Sequence, residues 1–248
     1  MTRQSRSKII ISVAALTVAA GALAGGAAWM TRGPAPQFNS ALMPDMVGPI
    51  GQDAALWVQR HEVTVSEWNT CHDAGGCGLW LVTRPDQDPD TTPATGLSYP
   101  DTQEYVAWLN DTTGHAFRLP RVAEWSAMAE SVIPDTPDPI FTDPRLSWAS
   151  AYMLEAELPR ALRPSGSFST TEDGIADLDG SVWEWTDDCY AGSGAPARPD
   201  RCPAFWVAGI HMAAMSYLER DPARGGCAVG TPPAHLGMRL VTDNAPRS

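Results

Sequence analysis

An irregular, loop-rich α+β domain is expected from this chain of 248 residues, on three observations. Three stretches space their apolar residues as helices do, at Thr64 to Asp73, Asp101 to Asn110 and about Val122 to Glu130. Strand-like runs are short and scattered, such as Phe205 to Ile210 and Met238 to Val241. Twenty-two prolines and 10 tryptophans favour long connections pinned by large rings, with tryptophan read first as a packing anchor.

In chain order, Arg3, Arg6 and Lys8 mark residues 1–8 as a basic tail. From Ile9 to Met30 there is no charge, and that length can cross a hydrocarbon core as one helix. The positive flank places the tail in the cytoplasm and everything after Arg32 outside. Two readings stay open for residues 9–30: a retained membrane anchor, or a signal peptide cleaved after Ala22-Leu23-Ala24. Continuation of the apolar run to Trp29 and Met30 favours the anchor, and either reading exports the domain. Residues 31–52, with Pro34, Pro36, Pro44 and Pro49, read as a tether. The folded domain is assigned to 53–243, and 244–248 is a tail.

Within the domain the first helix should turn Val63 and Trp68 toward the core. Asp101 can cap the second, whose Tyr105, Val106, Trp108 and Leu109 form an apolar face and which Gly114 ends. The third is entered after Pro120 and carries Trp125 and Met128 inward.

A formal net charge of -12, with Lys8 as the only lysine, argues against nucleic acid or an anionic membrane surface as the partner of the folded part. Five cysteines suit an oxidising compartment. Cys71 and Cys77 enclose a loop short enough to close as a disulfide, while Cys189 and Cys202 flank a Gly/Pro-rich excursion from Ala191 to Asp200. Cys227 is left over. Without a close Cys-x-x-Cys pair, bridges are preferred to a zinc site. Serine-hydrolase and phosphate-loop signatures are missing.

Four motifs occur in a specific order: Leu56-Trp57-Val58-Gln59-Arg60-His61-Glu62-Val63-Thr64, Phe117-Arg118-Leu119-Pro120 leading to Ala123-Glu124-Trp125, Gly174 to Trp185, and Leu236-Gly237-Met238-Arg239-Leu240-Val241. Together they resemble the formylglycine-generating enzyme family, also called the sulfatase-modifying factor family, over roughly residues 53–243. The resemblance implies an irregular fold similar to C-type lectins, and the Cys189–Cys202 spacing is similar to that of relatives. It also implies an oxidase that converts a substrate cysteine to formylglycine with two thiols holding Cu(I), a soft ion that prefers sulfur. Those thiol positions fall on Ala213 and Leu218. Neither side chain can ligate copper, so the family's reaction is expected to be absent.

His211, Met212 and Met215 lie where that copper centre would be, and imidazole and thioether are acceptable copper ligands. Methionines beside small residues more often fill core gaps and a lone histidine is more often a spectator, so copper is not expected. Calcium is the expected ion. By resemblance its ligands are the Asp177 carboxylate and the carbonyls of Leu178, Gly180 and Val182, which suits a hard cation. A second calcium is not expected, because Trp148 to Phe168 is too short. Arg118, Glu124, Glu184 and Arg239 are read as scaffold held by charge-assisted hydrogen bonds.

Three function classes follow. The first is a non-catalytic, membrane-anchored periplasmic domain that grips an exported protein partner and assists maturation of a metalloenzyme. Cysteine-less relatives encoded beside nitrite reductase in denitrifying bacteria are the resemblance behind it, with a groove near Trp206, His211 and Tyr217. The second is a metal-dependent oxidase of altered chemistry using His211 or Cys227. The third is a lectin-like module holding a small ligand beside calcium.

Overall fold

The computed structural model describes residues 39–51, 55–134, 140–146, 149, 153, 161–190, 202–222, 227–229 and 234–246. Among them no helix is long and apolar enough to cross a membrane. The span expected over residues 9–30 lies outside the described residues, as does the Ala191 to Asp200 excursion.

The fold opens earlier than expected. Strand β1 (Met46–Ile50) pairs antiparallel with β2 (Leu56–Gln59), and β2 pairs with β8 (Val241–Thr242), making a three-stranded sheet in the order β1-β2-β8. Residues 39–51, read from sequence as the end of a tether, therefore belong to the domain. The physical reason is that β1 is an edge strand, where Pro49 and the missing N–H are tolerated. Leu42, Met43 and Met46 pack onto the main core.

Helix α1 (Val65–Asp73) begins on a capping box: the Thr64 hydroxyl accepts from the Glu67 N–H, and the Glu67 carboxylate accepts from the Thr64 N–H at 2.7 Å. Such a cap contributes about 1 kcal/mol. Helix α2 (Tyr99–Thr113) starts two residues before the expected Asp101. Ser98 is its N-cap, and Asp101 is the third helical residue, reaching back to the Ser98 N–H at 2.8 Å. Gly114 ends the helix at φ 65°, in the left-handed region that glycine occupies without Cβ strain. Helix α3 (Val122–Ala129) buries Trp125 and Met128 as expected. Trp68 of α1 stacks on Tyr105 of α2 with centroids 5.5 Å apart, while Val63 and Trp68 are both fully buried.

The second sheet runs β6-β5-β4-β3-β7, from β3 (Val182–Tyr190), β4 (Ala204–Ala208), β5 (Met212–Ser216), β6 (Cys227–Val229) and β7 (His235–Gly237). Only the β3–β7 pairing is parallel. The strand expected over Met238 to Val241 is split: residues 238–240 are irregular, with Met238 and Leu240 carbonyls accepting from the Val63 and Gln59 N–H groups, so this segment joins the two sheets.

Side chains on β3, β4 and β5 alternate between two cores. Trp183, Trp185, Phe205, Val207, Ala213 and Met215 enter the larger one with α1 and α2, and Ala208 and Met212 meet Trp125 and Met128 of α3 in the smaller. Both expected disulfides are present, Cys71–Cys77 and Cys189–Cys202.

Candidate functional site

The strand pair β4–β5 and the turns at its ends carry the positions that the sequence singled out. Gly209 opens the turn because the chain passes against Trp183; a Cβ there would lie 2.5 Å from the indole ring. His211 meets the same ring edge-on with centroids 4.0 Å apart. Ala213 is fully buried in the larger core, whereas Leu218 is 62% exposed beyond the end of β5. Of the two positions that the resemblance assigns to the family's thiols, one is therefore sealed in hydrocarbon and the other faces solvent.

The structure does not bring the copper candidates together. Met215 lies in the larger core, and Met212 packs on the smaller, across the sheet. An odd separation along a strand puts two side chains on opposite faces, so His211, Met212 and Met215 cannot share one ion in this geometry. Cys227 pairs with Met215 in the β5–β6 ladder.

Trp206, His211 and Tyr217 do not line one groove either. Trp206 meets Tyr190 edge-on at 5.1 Å, His211 meets Trp183, and Tyr217 follows β5, its carbonyl accepting from the Tyr99 N–H. A groove of about 520 Å³ does exist at the His211 end, between α3 and the β4–β5 turn; Trp125, Glu130, Ile133, Ile210, His211 and Met212 are among its walls.

Asp177 occupies φ 67°, an uncommon conformation for a residue with a Cβ. Its carboxylate accepts from the N–H groups of Gly166 and Phe168, the latter at 2.9 Å, and lies 3.3 Å from His61 Nδ1. Burial alone would raise its pKa, but the His61 contact and the two backbone donors hold it below the ordinary aspartate value. The Asp177 carbonyl accepts from the Gly180 N–H at 2.9 Å. Among the described residues no group of three or more His, Cys, Asp or Glu side chains is placed to hold a metal ion. The carboxylate expected to bind calcium is engaged by two backbone N–H groups and lies beside His61, while the other expected ligands, the carbonyls of Leu178, Gly180 and Val182, belong to the same turn and the start of β3.

The scaffold arginines are where the sequence put them. Arg118 forms a bidentate pair with Glu124 at 2.7 and 2.8 Å and reaches Asp243 at 2.7 Å. Arg239 is fully buried and every N–H is used: Nε and Nη2 donate to Glu184, Nη1 to the carbonyls of Gln59 and Arg60, and Nη2 to the carbonyl of Ala176. Trp125 Nε1 donates to the second Glu184 oxygen at 2.8 Å, linking α3 to the same group.

Beside this network sits a group that sequence reasoning missed. Glu62 is buried, and its Oε2, 3.9 Å from Arg239 Nη2, has no hydrogen-bond partner among the described residues. Burial, opposed by Arg239 and reinforced by Glu184 and Asp177, pushes its pKa up to about 8. Gln59 Oε1 is likewise buried without a partner. A charged residue within the motif Arg60-His61-Glu62 gives no sequence signal of burial.

With this geometry in hand, the comparisons define the class. Residues 16–244 match the family described as the sulfatase-modifying factor enzyme 1-like domain, and the chain belongs to that family. The solved structure of PvdO from Pseudomonas aeruginosa is similar at 24% identity, covering 75% of this chain and 79% of that one, with a TM-score of 0.51. CarF is similar at 17% identity, covering 77% and 87%, with a TM-score of 0.50. At these identities the likeness concerns the fold. No protein of curated function matches.

Proposed function

We propose that this domain is a non-catalytic binding scaffold, exported and held at the membrane by residues 9–30, that assists maturation of an exported metalloenzyme such as a nitrite reductase. The observation that carries the reading is that Ala213 is sealed in the core and Leu218 is presented on the surface beside the 39%-exposed Tyr217, at the two positions that the resemblance assigns to the family's thiols. Without a thiolate the family's Cu(I)-dependent step has no ligand at either position. An exposed leucine next to an exposed tyrosine supplies instead the apolar and aromatic contact area from which protein interfaces are built.

A photo-crosslinking amino acid placed at position 218 of the full chain in its native membrane tests the reading. Capture of one stoichiometric exported metalloenzyme is expected, and capture of only abundant bystanders overturns it. Incubation of the copper-loaded protein with a cysteine-bearing sulfatase peptide should yield no formylglycine. Formation of the aldehyde would return the protein to the enzymes.

A further inference from the structure

Just past the Cys71–Cys77 disulfide, residues 78–84 run as an extended segment whose exposure alternates: Gly78, Trp80, Val82 and Arg84 are exposed, and Leu79, Leu81 and Thr83 between them are half-buried. Helix α1 holds this segment along one edge. Asn69 Nδ2 donates to the Leu81 carbonyl at 2.9 Å, Asn69 Oδ1 accepts from the Leu81 N–H at 3.0 Å, and Trp68 Nε1 donates to the Leu79 carbonyl at 2.7 Å. Successive residues of an extended chain present their N–H and C=O groups to opposite edges, so those of Gly78, Trp80, Val82 and Arg84 lie along the other one. We propose that this second edge is a dimerisation site, at which Trp80 and Val82 pair antiparallel with Val82 and Trp80 of a second copy of this chain. The assignment is independent of the partner reading above.

Three observations carry it. First, the edge is closed at both ends and open in the middle. The Gly78 N–H donates to the Glu104 carboxylate at 2.8 Å, and the Arg84 N–H donates to Gln87 Oε1 at 3.0 Å. Between them Trp80 and Val82 make no main-chain hydrogen bond to any described residue, and at 49% and 83% exposure they face water. An unpaired edge is a template for another strand, and folds usually blunt it with charge, proline or a bulge. Here the open residues are tryptophan and valine, both strong strand formers, and Pro85 lies beyond the open stretch.

Second, the edge is complementary to itself. A two-fold axis at Leu81 sets Trp80 opposite Val82 of the second copy and Val82 opposite its Trp80, and each of these pairs exchanges both N–H···O bonds. The two Leu81 residues then face each other as the pair without hydrogen bonds, which fits groups already engaged by Asn69. Moving the register two residues either way would set an open residue against the occupied N–H of Gly78 or Arg84. An aromatic ring across from a β-branched side chain is a favourable cross-strand pair.

Third, charge follows the same register. Arg84 falls opposite Gly78 of the second copy, whose N–H is held by Glu104, so each guanidinium meets the other copy's carboxylate. Within one chain Arg84 has only Asp86, at 3.4 Å and with both side chains exposed. Two chains of net charge -12 repel, and this exchange of Arg84 for Glu104 sets opposite charges against each other at both ends of the contact.

The disulfide and the Asn69 clamp keep the segment extended before a second copy arrives, so little ordering is lost on pairing. A single strand pair is small beside the interfaces of permanent dimers, so this dimer is weak and dissociates on dilution.

Sedimentation equilibrium of the full chain in density-matched detergent tests the proposal, with amide hydrogen exchange read on the same samples. A monomer–dimer equilibrium is expected. The Trp80 and Val82 amides should exchange about tenfold more slowly in dimeric than in dilute samples, while the Leu81 amide, already bonded to Asn69, stays constant. Val82→Pro removes an N–H that the single chain leaves unused and should weaken association about tenfold. Arg84→Glu should also weaken it, and adding Glu104→Arg to that variant should restore it. The proposal is overturned if the chain stays monomeric up to millimolar concentration or if dimers form without slowing at Trp80 and Val82. It is equally overturned if Val82→Pro and Arg84→Glu both leave association unchanged, which would place the contact elsewhere, such as residues 9–30. Capture of a different protein along this edge by a chain that never self-associates would give the edge to that other strand and overturn it too.

Discussion

Arg239 and Leu218 stand at opposite extremes of how this domain uses positions that its family pattern marks. Around Arg239 the charged groups are kept, buried and joined through donors to Glu184 and three backbone carbonyls, so that both sheets and the Gly174 to Trp185 loop meet on one side chain. Ala213 and Leu218, the positions to which the resemblance assigns the family's thiols, are hydrocarbon, one sealed and one exposed. The difference separates what this fold needs in order to stand from what it needs in order to react. A buried cation must keep its partners or the desolvation of every one of them is uncompensated. A surface thiol can be exchanged for leucine with no such penalty.

The largest expected effect breaks the charged side of this contrast. Arg239→Met leaves Glu184 buried without its cation and three carbonyls without donors, and should destabilise the domain by about 3–5 kcal/mol in urea unfolding. Glu62→Gln sharpens the same region through pH. The folded pKa of Glu62, about 8, lies above the ordinary 4.5 that the group regains on unfolding. Its contribution to stability is therefore full below pH 4.5 and is lost as pH rises through 8. The slope across this window is at most about 1.4 kcal/mol per pH unit. Subtracting the stability of Glu62→Gln from that of the unaltered protein between pH 4.5 and 9 should show this fall. A flat difference would mean that Glu62 finds a partner in solution.

Asp177→Ala should have a smaller effect. It removes the acceptor of the Gly166 and Phe168 N–H groups and the His61 contact, and about 1–3 kcal/mol should follow. The pH sign is opposite to that of Glu62. Because the folded pKa is depressed, the contribution of Asp177 is present above its ordinary 3.8 and is lost as pH falls through the folded value. Acid unfolding of the unaltered protein and of the variant should therefore converge at low pH.

These differences mark where sequence reading works. The start of α1 near Thr64 and the short Cys71–Cys77 loop were legible as local patterns, and the Arg118 and Arg239 scaffold through the family motifs together with the rule that a charge cannot be buried alone. The N-cap of α2 was misplaced by three residues, Asp101 for Ser98, because Asp101 can serve as an N-cap or as the reciprocal third residue, and only the position of Ser98 decides. Strand β1 was missed because Gly48 and Pro49 argue against a strand until its place at a sheet edge is known. The copper candidates failed on parity: His211, Met212 and Met215 are close in sequence, but the strand sends its two methionines to opposite cores. Glu62 was invisible because its burial is set by the crossing of β2 under residues 238–240, a contact spanning most of the chain.

The smallest effect on stability belongs to Leu218, and it bears most directly on function. Leu218→Ser removes an exposed side chain that belongs to neither core, so the unfolding free energy should stay within about 0.5 kcal/mol of the unaltered protein. If the exposed position is a contact surface, the same variant should lose at least tenfold in capture of the partner, whereas His211→Ala at the far end of β5 should not match that loss. Equal losses from both would extend the interface along the whole strand to the groove beside α3. No loss from Leu218→Ser, with the fold intact, would place the partner elsewhere and leave that leucine as a replacement without a role.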